Sequence, residues 1–476
     1  MSHNVENHTQ LTRGQLSGLL LIVSLATFAT PLISSGVNIA IPYISLDFAV
    51  SASNIGWVQI SFLMMSAVFL FPFGKMSDRT EKVKIFLSGL LCQFCGFAIA
   101  GLSSSFPTLL IGMALAGFGS AQIFSVGIPL LTTNFPIQER GKVLGISTAV
   151  IYVALALGPF ISGVLVENFG WHSLFLILLP ITALPLCLTI AILPKLQKNT
   201  TFHDPRPFDG IGSVIYIIAA SLVLVGISRI SDGSYASIIL IIGISISALF
   251  LWWESQHPDP IFPINIFREN KIFRNSSLAA LINYGSSFAV TLLLSFYFQN
   301  VRDFSSIATG TILITQPIIM AVLTPFAGRL SDRVDPRILA TTGMAMTAAS
   351  LFAFSFLTST TPLWVIIGIL LILGSGFALF SSPNMNSIMS SVPDSEAGIA
   401  SATAGTMRVF GQVVSMAAVM VVFATVLGSV VISAEIAEPL LKALSMTFTA
   451  LGALCIFGIY FSYARGTQLP RNKNKK

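Results

Sequence analysis

Arg408 lies about ten residues inside an apolar run at 399–427, where a cation is costly unless it faces a cavity, a partner or a bound solute. Two roles suit it: an anchor bonded to backbone carbonyls, or a contact for an anionic substrate. Uncharged polar side chains are scattered through the other apolar runs: Asn38, Gln59, Gln93, Gln122, Tyr152, Asn283, Tyr284, Gln316, Asn384, Asn386 and Gln412. Such groups either line a solute cavity or bond helix to helix. Carboxylates are missing from the same depth, because Asp47, Glu167, Asp209 and Glu254 all fall near the ends of runs. A buried carboxylate is the natural carrier of a proton, since desolvation favours its protonated form. Enzyme signatures of the HExxH, GxSxG and GxxxxGK[ST] types do not occur. Cys92 and Cys95 form a CxxC string without a second pair or a nearby His, so neither a metal nor another cofactor is expected. The chain has groups that could hold a solute and lacks groups that would transform one.

The elements that carry these residues follow from composition. Of 476 residues, 9% are charged and 54% hydrophobic, with 37 Phe, whereas a soluble domain has roughly 25% charged residues. Mean hydropathy is +0.84, so lipid must solvate most of the chain, which excludes a water-soluble enzyme. Runs long enough to span a bilayer occur at about 15–37, 55–73, 85–104, 108–131, 142–166, 173–193, 210–229, 236–253, 277–299, 307–328, 338–357, 363–390, 399–427 and 443–463. With fourteen spans, 21 of the 25 basic residues fall on the side of both termini. Arg229, Arg302 and Lys442 face the other way, and Arg408 is within a span. One missed or invented span would invert every later loop, so the charge distribution places both termini in the cytoplasm of a bacterial or archaeal plasma membrane. The net charge of +6 therefore reports topology and not a nucleic-acid partner.

The chain also repeats itself. GKMSDR, Gly74 to Arg79, returns as GRLSDR, Gly328 to Arg333, at an offset of 254. Pro136 to Gly141 is echoed by Pro393 to Gly398 at an offset of 257. Two landmarks with nearly one spacing predict a duplicated all-α membrane fold: a six-helix bundle at 1–193, two inserted helices with connectors at 194–275, and a second six-helix bundle at 276–476.

In this order the motifs resemble the major facilitator superfamily, in its fourteen-helix drug:proton antiporter branch. The resemblance rests on NIAIP at 38–42, the GKMSDR loop with Lys82 and Lys84, ALALGPFISG from Ala154 to Gly163, and Trp171, Phe175 and Pro180. It continues through Asp209 and Gly212, then Ser381 to Asn384, and Gly398, Ser401, Arg408 and Gly411. It implies two bundles rocking about a site near the membrane midplane. The loops at Gly74, Asp78 and Arg79 and at Gly328, Asp332 and Arg333 would then gate the cytoplasmic side. A carboxylate there, Asp78, could also cap the start of helix three. Gly158, Pro159 and Gly163 would bend and seal helix five. The equivalent helices make Asn38, Gln59, Gln122, Tyr152, Asn283, Gln316, Asn384 and Gln412, with Arg408, the candidates for a substrate cavity.

What the resemblance implies is a monomeric secondary transporter of small molecules that exports an amphiphilic drug or metabolite against protons. Two departures bear on the protons. The Asp expected in helix one is Ile33, and the Arg expected in helix four is Met113, with Ala116 in place of the usual Gln. A uniporter or importer of one metabolite on the same scaffold, or a membrane receptor that moves nothing, stays open beside the exporter.

Overall fold

A computed structural model describes residues 12–77, 79–196, 209–230, 233–257, 260–262, 264–331, 333–393, 397–428, 430–432 and 436–467. Among them, fourteen helices are long and apolar enough to cross a membrane. They are α1 (Arg13–Asp47), α2 (Trp57–Ser77), α3 (Lys82–Gly101), α4 (Phe106–Asn134), α5 (Val143–Phe169), α6 (His172–Ala191) and α7 (Gly210–Ser228). The rest are α8 (Ser234–Gln256), α9 (Lys271–Val301), α10 (Ser306–Ser331), α11 (Pro336–Phe354), α12 (Leu363–Ser390), α13 (Ala400–Val426) and α14 (Ala437–Ala464). Fourteen traverses return the chain to the end where it began. That end is called terminal below, and the end with the α1–α2 loop is called distal.

All the expected spans are present, but α1 is longer than its apolar run suggested. It stays helical for 35 residues, with Pro31 and Pro42 inside it. Pro42 is no stop signal here, because neighbouring helices and side chains can satisfy backbone groups that a proline frees. The extra turns carry α1 down to Asp47, whose Oδ2 accepts the Trp171 indole N–H at 3.0 Å.

Packing repeats along with the sequence. α1 packs on α5, α4 and α6, α2 on α4, and α3 on α4 and α6. In the second half α9 packs on α13, α12 and α14, α10 on α12, and α11 on α12 and α14. Glycines set the closest approaches, since a Cβ would strike the facing backbone. Gly89 meets Gly119 across α3 and α4, and Gly343 meets Gly376 across α11 and α12. Gly117 sits on the Phe62 carbonyl, and Gly374 on the Gln316 carbonyl at 2.7 Å. Each of these pairs maps onto its copy by offsets of 254 and 257, the spacings of the two repeat landmarks. The halves meet where α2 touches α13 and α5 touches α10.

The inserted helices α7 and α8 pack on each other, and α7 lies against α2 and α13. Along α2, the Tyr216 hydroxyl donates to the Ala67 carbonyl at 3.2 Å, and the Arg229 guanidinium lies 5.2 Å from the Trp57 ring centroid. These contacts bind the insert to the first half.

Candidate functional site

Among the described residues, Arg408 is the cation set well inside a span, and it lies where the two halves meet. Arg408 projects from α13 toward α4 of the other half, its guanidinium carbon 5.9 Å from the Phe124 ring centroid. At that distance the ring quadrupole attracts the cation. Tyr284 of α9 faces both Arg408 and Tyr152 of α5, and its ring meets Phe377 of α12 edge-on at 5.2 Å. Residues from both halves thus converge on one guanidinium. Arg408, Tyr284, Tyr152, Gln412 and Gln316 are all part-exposed although they lie far inside spans.

Local sequence explains the convergence. Gly411 follows Arg408 by three residues, and a Cβ on it would meet the Gly285 nitrogen at 2.9 Å. Without side chains at Gly285 and Gly411, α9 and α13 come together and bring Tyr284 and Arg408 to the same space. One turn on, the regular helix of α9 is interrupted at Phe288 and Ala289, and the Ala289 N–H donates to the Ser415 hydroxyl of α13 at 3.0 Å. An interrupted helix inside a membrane frees polar backbone groups, and the Ser415 hydroxyl satisfies one of them.

The other amides expected at the cavity are buried between helices. Asn38 and Gln59 both donate to the Ser34 carbonyl, at 3.4 and 2.8 Å. Gln122 accepts from Ser88 of α3, and Asn384 donates to the Ser276 carbonyl at 3.1 Å. Asn283 is fully enclosed, and neither of its amide atoms has a partner among the described residues. The structure brings Arg408 and Tyr152 together, adds Tyr284, Phe124 and Phe377 to them, and sets these five amides apart.

Helix α5 is wedged between the halves by its small residues. A Cβ on Gly158 would run into Ser35 and the Leu32 carbonyl of α1, the latter at 2.8 Å, and one on Gly163 would meet the Ser306 carbonyl of α10 at 2.5 Å. The Pro159 carbonyl rests against Gly310 of the same helix. Gly158→Leu must push α1 from α5, and overpacking into backbone costs about 3 kcal/mol or more. Its expected effect is loss of transport to background in reconstituted vesicles, while Gly145→Leu, with nothing within 4 Å of its Cβ, leaves transport intact.

At the loops, the repeat is visible atom by atom. The Ser77 hydroxyl donates to the Gly74 carbonyl at 2.7 Å, and the Ser331 hydroxyl to the Gly328 carbonyl at 2.7 Å. Asp78 and Asp332 lie outside the described residues; Arg79 is part-buried and Arg333 exposed. Glu81 precedes α3 and makes no side-chain cap bond, and the capping role expected of Asp78 falls outside the described residues. In the second half Asp335 caps α11, accepting from the Arg337 N–H at 2.9 Å.

The distal end is closed. The Ala52 N–H donates to the Val430 carbonyl at 2.8 Å, and Ser51 pairs with Val431 as an antiparallel bridge. Ser306 donates to the Tyr43 hydroxyl at 2.8 Å, and Gln299 to the Ile39 carbonyl at 3.3 Å. Glu167 of α5 accepts the Ile307 N–H at 2.8 Å and so caps α10 from the opposite half. Losing a helix cap costs about 1 kcal/mol. Glu167→Ala should therefore shift the balance about fivefold toward distal-open forms, read as faster thiol labelling of a cysteine at Tyr43.

The Major Facilitator Superfamily profile matches residues 23–416, well over half of the chain. The chain belongs to that superfamily. Its relatives include the riboflavin transporter RibZ of Clostridioides difficile (strain 630), 28% identical over 390 residues that cover 82% of this chain and 84% of that protein. The multidrug resistance protein Stp of Mycobacterium tuberculosis (strain ATCC 25618 / H37Rv) is 27% identical, covering 86% and 75%. The tetracenomycin C resistance and export protein of Streptomyces glaucescens is 28% identical, covering 88% and 78%. The last two names agree with the drug-efflux type that the motifs resemble. Among solved structures, the POT family transporter PepTSo superposes with a TM-score of 0.67 at 16% identity, covering 96% of this chain and 98% of that one. A bacterial homologue of the lysosomal transporter Spinster gives 0.65 at 14%, with the same coverage.

Within this superfamily chain, the positions where motifs led us to expect coupling charges are apolar in fact as well as in sequence. Ile33, Met113 and Ala116 are enclosed in the main core. Three end-of-helix charges, by contrast, are not solvated. Asp209 and Glu254 are 3% and 2% exposed, and Arg465 1%. Arg465 donates to the Ser462 carbonyl at 2.8 Å and to its hydroxyl at 2.7 Å. Burial draws its guanidinium down to about 10, with Asp335 opposing. In the sequence Asp209 and Glu254 stand near run ends with no sign of their burial except the WWE string at 252–254.

Proposed function

We propose that this superfamily member exports amphiphilic small molecules across the plasma membrane by alternating access, with both termini in the cytoplasm. The moving bodies are residues 1–193 and 276–476, and 194–275 ride with the first. The substrate class is an aromatic or apolar molecule bearing an anionic or strongly accepting group. The observation that carries this reading is Arg408, held part-exposed between halves and flanked by Tyr284, Tyr152, Phe124 and Phe377. A guanidinium offers five donors to an acceptor group, and the surrounding rings suit an apolar body. Relatives named for riboflavin, for drugs and for tetracenomycin C support a small organic cargo.

Alternating access is supported by the contacts that join the two halves at the distal end. The protein works as a monomer, since each half supplies part of the same cavity. Uptake and efflux of a panel of anionic, neutral and cationic amphiphiles by the reconstituted protein, at set pH and membrane potential, tests the reading. Accumulation of anionic aromatic members against their gradient is expected, and no movement of any member contradicts it.

Ile33 and Met113 favour a second reading, facilitated transport without a coupled proton. Counterflow at full rate in the absence of a pH gradient would select it, and a strict requirement for the gradient would reject it.

A further inference from the structure

The insert holds two carboxylates whose environment is incomplete without a ligand. Asp209 caps the start of α7, accepting the Gly212 N–H at 2.7 Å. Its two oxygens also accept the Trp253 indole N–H, at 3.2 and 3.1 Å, and His257 Nδ1 lies 3.9 Å from Oδ2. Glu254, near the end of α8, accepts the Phe262 N–H on Oε2 at 3.0 Å. Its other oxygen, Oε1, is enclosed and has no partner among the described residues. That orphan atom borders the same small space as Asp209: a single Cβ on Gly212 would touch Asp209 Oδ2 and lie 2.7 Å from Glu254 Oε1. The two carboxyl groups are close enough to feel each other's charge.

An ionised carboxylate only accepts hydrogen bonds. Two of them turned toward each other in an enclosed space repel, and an unsatisfied oxygen there is costly. The surrounding donors favour one assignment. Asp209 receives the helix N-terminus, the Gly212 N–H, the indole and the neighbouring imidazole, all of which stabilise its charge. Glu254 receives backbone N–H groups from Phe262 and Ile261 only, and among the described residues none reaches Oε1. A proton on Oε1, donated to Asp209, satisfies every atom of the pair. The titratable groups that face Glu254 are Asp209 and, beyond it, His257; Tyr216 of α7 is committed to the α2 backbone.

Glu254 also fixes a brace between the halves. Phe262, held by its N–H, packs edge-on against Phe71 of α2 at 5.8 Å and lies 5.5 Å from Phe267 of the short helix Ile264–Glu269. Phe267 in turn meets Phe273 at the start of α9 at 6.1 Å. The line of rings therefore runs from the first half to the second at the terminal end, on the side where the cavity must open and close.

We propose that Asp209 and Glu254 form a proton-binding site holding one shared proton, and that release of this proton to water frees the Phe262 brace between α2 and α9. With the proton gone, the repelling carboxylates separate, and Glu254 leaves the Phe262 N–H as it moves.

Infrared difference spectroscopy of the full chain in lipid nanodiscs, between acidic and alkaline pH, reads the site directly. The wild type should lose the carbonyl stretch of a protonated carboxyl as pH rises, and E254Q should lack that band throughout. Glutamine reproduces the protonated form, its amide donating to Asp209 and its oxygen accepting from Phe262. D209N keeps the oxygen that caps α7 and should move the pH at which the band disappears. In the same preparations, spin labels at Thr80 and Ser390 should separate with rising pH in the wild type and hold one distance in E254Q. A band untouched by E254Q, or unmoved by D209N, overturns the proton site. A distance that still follows pH in E254Q overturns its control of the brace. None of these readouts involves a substrate, so their failure is distinct from failure of the transport reading.

Discussion

Arg408→Ala is expected to weaken apparent substrate affinity about 30-fold and to bring transport of anionic substrates near background. The guanidinium is part-exposed, so the lower end of the cost of removing one partner of a buried charge pair applies, about 2 kcal/mol. Arg408→Lys keeps the charge but gives up the planar fork, and should fall between the two. Transport kinetics across the amphiphile panel check the order. Anionic members should lose most, and neutral members should lose less, through the weakened placement of Tyr284 and Phe124. Equal loss for every substrate with unchanged KM would make Arg408 a structural anchor, the alternative its sequence position left open.

Gly310→Leu is expected to abolish transport while leaving substrate binding in place. The distal seam requires α10 to lie directly on the α5 backbone, where a Cβ at position 310 would press on the Pro159 carbonyl and come within 3.2 Å of the Phe160 Cα. Backbone cannot rotate away as a side chain can. Overpacking of this kind costs about 3 kcal/mol, enough for a shift of about 150-fold away from the distal-closed form. Equilibrium binding of a panel substrate should survive within a few-fold, turnover should fall below detection, and a cysteine at Tyr43 should label freely. Wild-type turnover in Gly310→Leu would mean that α5 and α10 need not touch during the cycle.

The parts of this protein that its sequence made legible are those decided by long apolar runs and by charge. Fourteen runs, the placement of basic residues and the doubled GxxSDR loop specified the helices and their order, because lipid permits few alternatives. Arg408 was legible for the same reason, as a charge where charge is expensive. The amides were not. Whether Gln59 lines a cavity or donates to Ser34 depends on which neighbour stands opposite, and that is set by helix rotation. Tyr284 carried no stronger signal than ten other polar residues until α13 was brought against α9 by two glycines. Asp209 and Glu254 look solvated in sequence because end-of-helix carboxylates usually are. Their burial comes from Trp253, which folds back 44 residues to cover Asp209, and from the chain segment that brings Phe262 over Glu254. The length of α1 was hidden by Pro42, a stop signal in water that a helix bundle tolerates.

Paired distance measurements on one reconstituted preparation test the central claim, that the two halves pivot about the Arg408 cavity. Native Cys92, Cys95, Cys187 and Cys455 are all unpaired and would be replaced before labelling. One spin-label pair, at Asn168 and Thr360, spans the distal end, and another, at Thr80 and Ser390, spans the terminal end. During turnover of a transported panel member, a second population should appear in which the distal distance lengthens and the terminal distance shortens together. Distances that stay fixed while substrate moves, or that lengthen at both ends at once, would contradict the account.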